Sequence, residues 1–218
     1  MVVFTGVLLI SAMFVGPASA AESAPEIEDL LTRMGEAYSV VESFEADFVQ
    51  TSSGMSYATP LVQKGVLAVE RPQKMHWDFR EPTRQQYISD GSTFWWVDHS
   101  AKTTTVYRKM DSVLKHFFDL LTGMKNVKQD FKLSLESGEH SRAGSYSLKL
   151  IPRANTGGMG TLYVHVAKPS ALVVGVTNVT PFGDVTRLEL GELTLNKKLP
   201  ASHFRWAERD GFTLIEGG

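Results

Sequence analysis

Two spacings of apolar residues alternate along the chain and divide it into helical and extended stretches. Over residues 25–43, Ile27, Leu30, Leu31, Met34, Tyr38 and Val41 recur every third or fourth position, with Glu28, Asp29, Arg33 and Glu36 on the opposite side. That spacing, opened near Pro25, predicts an amphipathic helix. At Phe44 the period drops to two, and Phe44, Ala46 and Phe48 alternate with Glu45, Asp47 and Val49. Further strands are expected over residues 65–69 and along Met75, Trp77 and Phe79, while Asp90-Gly91 joins 85–89 to 93–97 as a hairpin. Residues 103–107 complete this first meander.

Helical spacing returns over 110–124, where Val113, Leu114, Phe117, Phe118, Leu121 and Met124 form a stripe widened by Leu120. The chain then goes back to period two at Phe131/Leu133/Leu135, Tyr146/Leu148/Leu150, Leu162/Val164/Val166, residues 172–177 and Thr186/Leu188/Leu190, with short segments at 204–206 and 211–215 near the end. About eleven short antiparallel strands with two helices imply one large sheet, which must curl, close or split. The expected class is therefore mainly β (α+β), a curved sheet whose concave side the helices cover.

The first twenty residues change the picture at the N-terminus. They hold no charged side chain, and the apolar run 7–15 is too short to span a bilayer. Gly16-Pro17 breaks the run, and Ala18-Ser19-Ala20 has the small-x-small form that signal peptidase cleaves. A signal peptide over 1–20, cleaved after Ala20, is favoured over a buried N-terminal helix, which leaves 21–218 as a single expected domain. Cysteine is absent, which excludes disulfides, thiolate catalysis and the lipid-modified cysteine of a membrane-tethered lipoprotein. With 22 basic and 24 acidic residues there is no basic excess that would favour nucleic acid.

Catalytic and metal chemistry find little support. The six histidines, 76, 99, 116, 140, 165 and 203, show no HxH, HxxxH or HExxH spacing. Ser92 sits in a turn and not in a nucleophile elbow, and the 157–160 glycine loop lacks the features of a phosphate cradle. No cofactor and no enzymatic activity are expected. The unusual feature is the aromatic and methionine content of the first meander: Phe48, Met75, Trp77, Phe79, Phe94, Trp95 and Trp96. An ordinary core would account for these residues. A greasy cavity is favoured because residues 94–97 put bulky groups on both faces of one strand, and because the 110–124 helix is rich in Phe and Leu. Arg71 shares a face with Leu67 and Val69 by alternation. It either points into water at a strand end or turns inward to find acceptors such as helix C-terminal carbonyls; pattern alone leaves both open.

Several of these segments together resemble a known family. Residues 43–50 (SFEADFVQ), 65–72 (GVLAVERP), 76–79 (HWDF), Pro82, 88–91 (ISDG), Phe94-Trp95 and the closing 204–215 stretch resemble the LolA family, periplasmic carriers of outer-membrane lipoproteins. His76 departs from the pattern, because many members have arginine there. The resemblance implies an incomplete β-barrel with a helical lid and lipoprotein acyl chains bound between them. It also implies loading by an inner-membrane ABC transporter, delivery to an outer-membrane acceptor, and Arg71 as a latch that bonds to helix backbone. On this expectation Phe48, Leu67, Val69, Met75, Trp77, Phe79, Ile88, Phe94 and Trp96 line the cavity. Leu30, Met34, Val113, Leu114, Phe117, Phe118 and Leu121 form the lid. Two other readings compete: a lipoprotein sensor of related fold that regulates an envelope stress response, and a periplasmic hydrolase, which would need a nucleophile–base or paired-carboxylate site.

Overall fold

A computed structural model describes residues 24–108, 118–124, 127–154 and 159–217. Helix α1 (Ala24–Ser39) follows the expected stripe: Ile27, Leu30, Met34 and Tyr38 are buried, while Glu28, Asp29 and Glu36 face solvent. It ends four residues short of the predicted boundary, where a turn leaves Val40 71% exposed and Val41 buried. The turn that follows it is fastened by a residue from a distant part of the chain. Asn196 Nδ2 bonds to Val40 O at 2.9 Å, and the Asn196 side-chain oxygen accepts from the Glu42 N–H at 2.8 Å.

The strands are β1 (Ser43–Ser53), β2 (Leu61–Glu70), β3 (Lys74–Glu81), β4 (Gln85–Asp90), β5 (Phe94–Asp98), β6 (Thr103–Tyr107), β7 (Phe131–Leu135), β8 (Ser145–Pro152), β9 (Thr161–Ala167), β10 (Val173–Val179), β11 (Val185–Leu190), β12 (Thr194–Leu195) and β13 (Thr213–Glu216). They form one sheet in the order β13-β6-β5-β4-β3-β2-β1-β11-β10-β9-β8-β7, with β12 paired to the start of β1. The sheet is open, with β13 and β7 at its ends. Its thirteen strands exceed the expected eleven or so because β12 is only two residues long and the C-terminal segment pairs with β6 in parallel. Among the described residues no helix is long and apolar enough to cross a membrane. The proposed signal peptide and residues 110–117 of the predicted second helix lie outside them.

Strand alternation gives the sheet two different faces. The inner face carries the main core: Phe44, Ala46, Phe48, Leu67, Val69, Met75, Phe79 and Phe94 from the first meander, and Leu148, Leu150, Val164, Val166, Val176 and Leu188 from the second. Helix α1 and the segment 118–124 roof it with Leu30, Met34, Phe118, Leu121 and Met124, each at most 4% exposed. On the outer face Ile88, Trp95, Val97 and Val106 form a separate cluster under the C-terminal residues Trp206 and Phe212. The bulky pairing of Trp95 and Val97, read from sequence as a sign of cavity surplus, is therefore hidden by the protein's own C-terminal strap.

Candidate functional site

The inner face of the first meander is a continuous ladder of aromatic rings. Phe48 meets Trp77 and Phe79 edge-on, at centroid distances of 5.7 and 4.9 Å. Trp77 and Phe79 lie 5.1 Å apart, and Tyr87 continues the series 6.2 Å from Trp77 and 5.6 Å from Phe79. Tyr87 then stacks on Phe94 and Trp96 at 6.1 and 6.4 Å, and Phe94 reaches Tyr107 at 5.9 Å. Such offset and edge-on pairs are the favoured aromatic geometry. Leu67, Val69 and Met75 fill the space beside them.

Eight of the nine residues expected to line a cavity lie on this face, six of them fully buried, with Trp77 half-buried and Trp96 38% exposed. Ile88 is the correction. It pairs with Trp95 across the β4–β5 hairpin and belongs to the outer-face cluster. The Gly91-Ser92 turn sets Ser89 opposite Phe94, so Tyr87, not Ile88, stands opposite Trp96. Tyr87 and Tyr107 were missed, and counting register outward from Asp90-Gly91 would have found Tyr87. Of the expected lid residues, Leu30, Met34, Phe118 and Leu121 lie over the inner face; Val113, Leu114 and Phe117 fall outside the described residues.

Arg71 turns inward at the end of β2. Its guanidinium donates to Tyr38 O at 2.7 Å and to Val41 O, both at the C-terminal end of α1, while its own backbone N–H bonds to Glu42 O at 2.9 Å. These charge-assisted bonds, one to a carbonyl in the last turn of α1 and one to the turn just beyond it, tie the roof to the sheet. Beside them is a hollow of only about 10 Å³, lined by Tyr38, Val41, Phe44, Val69, Arg71 and Thr122. A larger groove of about 460 Å³ is lined by Phe48, Val49 and Leu190 together with the charged side chains Asp47, Lys64, Arg80, Glu81, Arg142 and Glu189. Among the described residues the inner apolar surface is covered around Leu30, Met34 and Leu121, while Trp77, Tyr87 and Tyr107 stay half-buried and Trp96 is 38% exposed.

Polar chemistry lies on the outer face. His76 and His203, remote in sequence, have ring centroids 4.6 Å apart. Burial, reinforced by His203, pushes the His76 pKa down to about 4. Gln86 links His76 to Asp78 and His99, with contacts of 3.3, 3.0 and 3.0 Å. His165 lies between Ser147 and Thr177 at 3.0 and 3.1 Å, and burial lowers its pKa to about 4 as well. Ser147 and His165 have the contact of a nucleophile and its base, but both are buried at 3–4% exposure. Among the described residues no three candidate ligand side chains gather as a metal site.

Comparison with known proteins adds to this geometry. The model of a family described as outer membrane lipoprotein carrier protein LolA matches residues 39–207. An outer-membrane lipoprotein carrier protein of Methylococcus capsulatus is 26% identical over 201 residues, 92% of each chain. One from Bordetella avium is 29% identical over 177 residues, 81% of this chain and 82% of the other. The crystal structure of an uncharacterized conserved protein from Thermus thermophilus is similar in fold, with a TM-score of 0.54 at 11% identity over 88% of this chain and 99% of that one.

Proposed function

The chain belongs to the LolA family of outer membrane lipoprotein carrier proteins, and from that premise we propose that it shelters lipoprotein acyl chains against the inner face of its open sheet. The observation that carries this reading is the aromatic and aliphatic ladder roofed by an amphipathic helix whose end is fastened by Arg71. Acyl chains take the place of the roof: α1 and 118–124 lift, and methylenes replace Leu30, Met34 and Leu121 in the inner-face cluster that also holds Phe48, Trp77, Phe79, Tyr87 and Phe94.

The energetics make this exchange feasible. The five α1 side chains that face the sheet, Ile27, Leu30, Leu31, Met34 and Tyr38, contribute about 1.5–3 kcal/mol each, or on the order of 10 kcal/mol together. One sixteen-carbon chain at about 0.8 kcal/mol per methylene contributes about 12 kcal/mol. One chain roughly balances the roof, and the several chains of a lipoprotein anchor outweigh it. Release into water is correspondingly slow, so cargo passes directly from an inner-membrane ABC transporter and on to an outer-membrane acceptor. The carrier works in the periplasm after export, with residues 21–218 as one carrier domain, as a monomer, without cofactor or catalytic step.

Mass spectrometry of lipids and proteins that co-purify with the exported protein tests the reading. Recovery of lipoproteins with an intact acylated N-terminal cysteine supports it. Recovery of free phospholipid alone, or of an anti-sigma factor without lipoprotein, refutes it.

A further inference from the structure

Tyr38 touches three separate parts of the molecule, each through a different portion of the residue. Its backbone carbonyl accepts from Arg71 at 2.7 Å, at the end of β2. Its ring lies against Gly123, where an added Cβ would stand 3.0 Å from both Tyr38 Cβ and Cγ. Gly123 also has φ +104°, a conformation open to glycine, so the end of the 118–121 helical turn is shaped to receive that ring. The hydroxyl accepts from the backbone N–H of Val173 at 3.1 Å. Val173 opens β10, at a register shift between Val173 and Gly175 in its pairing with β9.

In the sheet β2 and β10 are separated by β1 and β11, so Tyr38 bridges the two meanders across the inner face. It is 4% exposed, and burial pushes its pKa up to about 12, which keeps the hydroxyl neutral. Lifting α1 cannot break the Arg71 bonds alone. The same movement pulls the ring from Gly123 and leaves the Val173 N–H without its acceptor, a cost for any buried donor.

We infer that Tyr38 is the positioning residue that couples the Arg71 latch to the second meander, so that the roof opens as one unit along both halves of the sheet. The purpose of the coupling rests on the carrier reading; the coupling itself is a property of the empty protein. Cargo with several acyl chains needs the whole inner face, and a roof that peeled from one half alone would admit single chains.

The test compares wild type, Tyr38→Phe, Arg71→Leu and the double variant. Tyr38→Phe keeps the ring and removes only the hydroxyl. Amide hydrogen exchange at Val173 and uptake of a fluorescent peptide with a triacylated N-terminal cysteine are measured for each. Tyr38→Phe raises the uptake rate about five-fold, the effect of one neutral hydrogen bond. Arg71→Leu raises exchange at Val173 and across 118–124 in the tyrosine background. In the phenylalanine background Arg71→Leu leaves Val173 exchange where Tyr38→Phe alone put it. The inference is overturned if Arg71→Leu leaves Val173 exchange at the wild-type rate with Tyr38 present, or if the two substitutions multiply independently in uptake, as a purely structural tyrosine would give. If no variant takes up the peptide while the exchange pattern holds, the carrier reading fails and the coupling stands.

Discussion

Replacing Arg71 by leucine isolates the latch. The guanidinium makes two charge-assisted bonds to the end of α1, each worth about 1.5–3 kcal/mol in a favourable setting. Arg71 is only partly buried, and leucine regains some packing against Phe44 and Val69, so the net loss to the closed, empty state is about 2–3 kcal/mol. Tyr38 O keeps a second donor in the Val41 N–H at 3.2 Å, so the helix end is not stripped of partners. The loaded state, with its roof lifted, has already given up these bonds and loses nothing. The balance between loaded and empty protein therefore shifts roughly 30- to 150-fold toward loaded. Equilibrium binding of an acylated peptide tightens by that factor, transfer to detergent micelles slows by the same factor, and the melting temperature of the empty protein falls. Arg71→Lys gives an intermediate result, because a single ammonium lacks the planar fork that spans two carbonyls. A fall in melting temperature with no change in affinity, or with weaker affinity, would refute the latch.

Other consequences follow from the faces of the sheet and its buried groups. Tyr87→Ala removes the central ring of the inner ladder and weakens acylated-peptide binding several-fold; Ile88→Ala, one residue on, costs about 2–4 kcal/mol in a denaturant titration and leaves binding per folded molecule unchanged. Stability falls with acidification between about pH 6.5 and pH 4: with folded-state pKa values near 4 for His76 and His165, the unfolded chain takes up protons first as pH drops. His76→Gln removes up to about 2 kcal/mol of that slope, allowing for the partial exposure of the ring. Gly65→Ala destabilises strongly, because a Cβ there would stand 1.8 Å from Asp78 O and 2.9 Å from the Phe48 ring; unchanged urea midpoints would disprove that packing. A free fatty acid binds far more weakly than a triacylated peptide, as measured by displacement of a fluorescent probe, and equal affinities would contradict the exchange of roof for cargo.

Local spacing made the elements legible, and only long-range register assigns their faces. The stripe Ile27, Leu30, Met34, Tyr38 announces α1 because burial on one side of a helix leaves a period in the sequence. Leu67, Val69 and Arg71 announce a shared inner face in the same way. Ile88 misleads, because its own strand is readable but its phase relative to Trp96 depends on the turn between them. The outer-face cluster was invisible for a different reason. Trp95 and Val97 are covered by Trp206 and Phe212, more than a hundred residues later, and no local pattern records that strap. The parallel pairing of β13 with β6 and the meeting of His76 with His203 are likewise products of chain return. Arg71 was ambiguous on pattern alone, since a strand-end arginine beside proline fits water as well as a helix end; its partners are tertiary.

The roof over part of the inner face bears directly on how such a carrier would operate. A permanently open hydrocarbon hollow would collect any lipid and expose apolar surface between cargoes. On the proposed reading, the empty protein stores Leu30, Met34 and Leu121 where acyl chains would lie, so only ligands with more hydrocarbon than the roof would displace it. The loaded state is then stabilised by the difference between two large terms, cargo burial on one side and α1 with its Arg71 and Tyr38 bonds on the other. An acceptor that buries the same chains equally well would reverse it, because closure of the roof is then the net gain. A ligand that binds an open form shifts the equilibrium only by its differential affinity, and on the proposed outward leg the roof's return to the sheet would offset part of the cost of giving up cargo. On this reading, selectivity for multiply acylated lipids and direct hand-off share one physical origin, a lid whose apolar stripe competes with its cargo for the same surface.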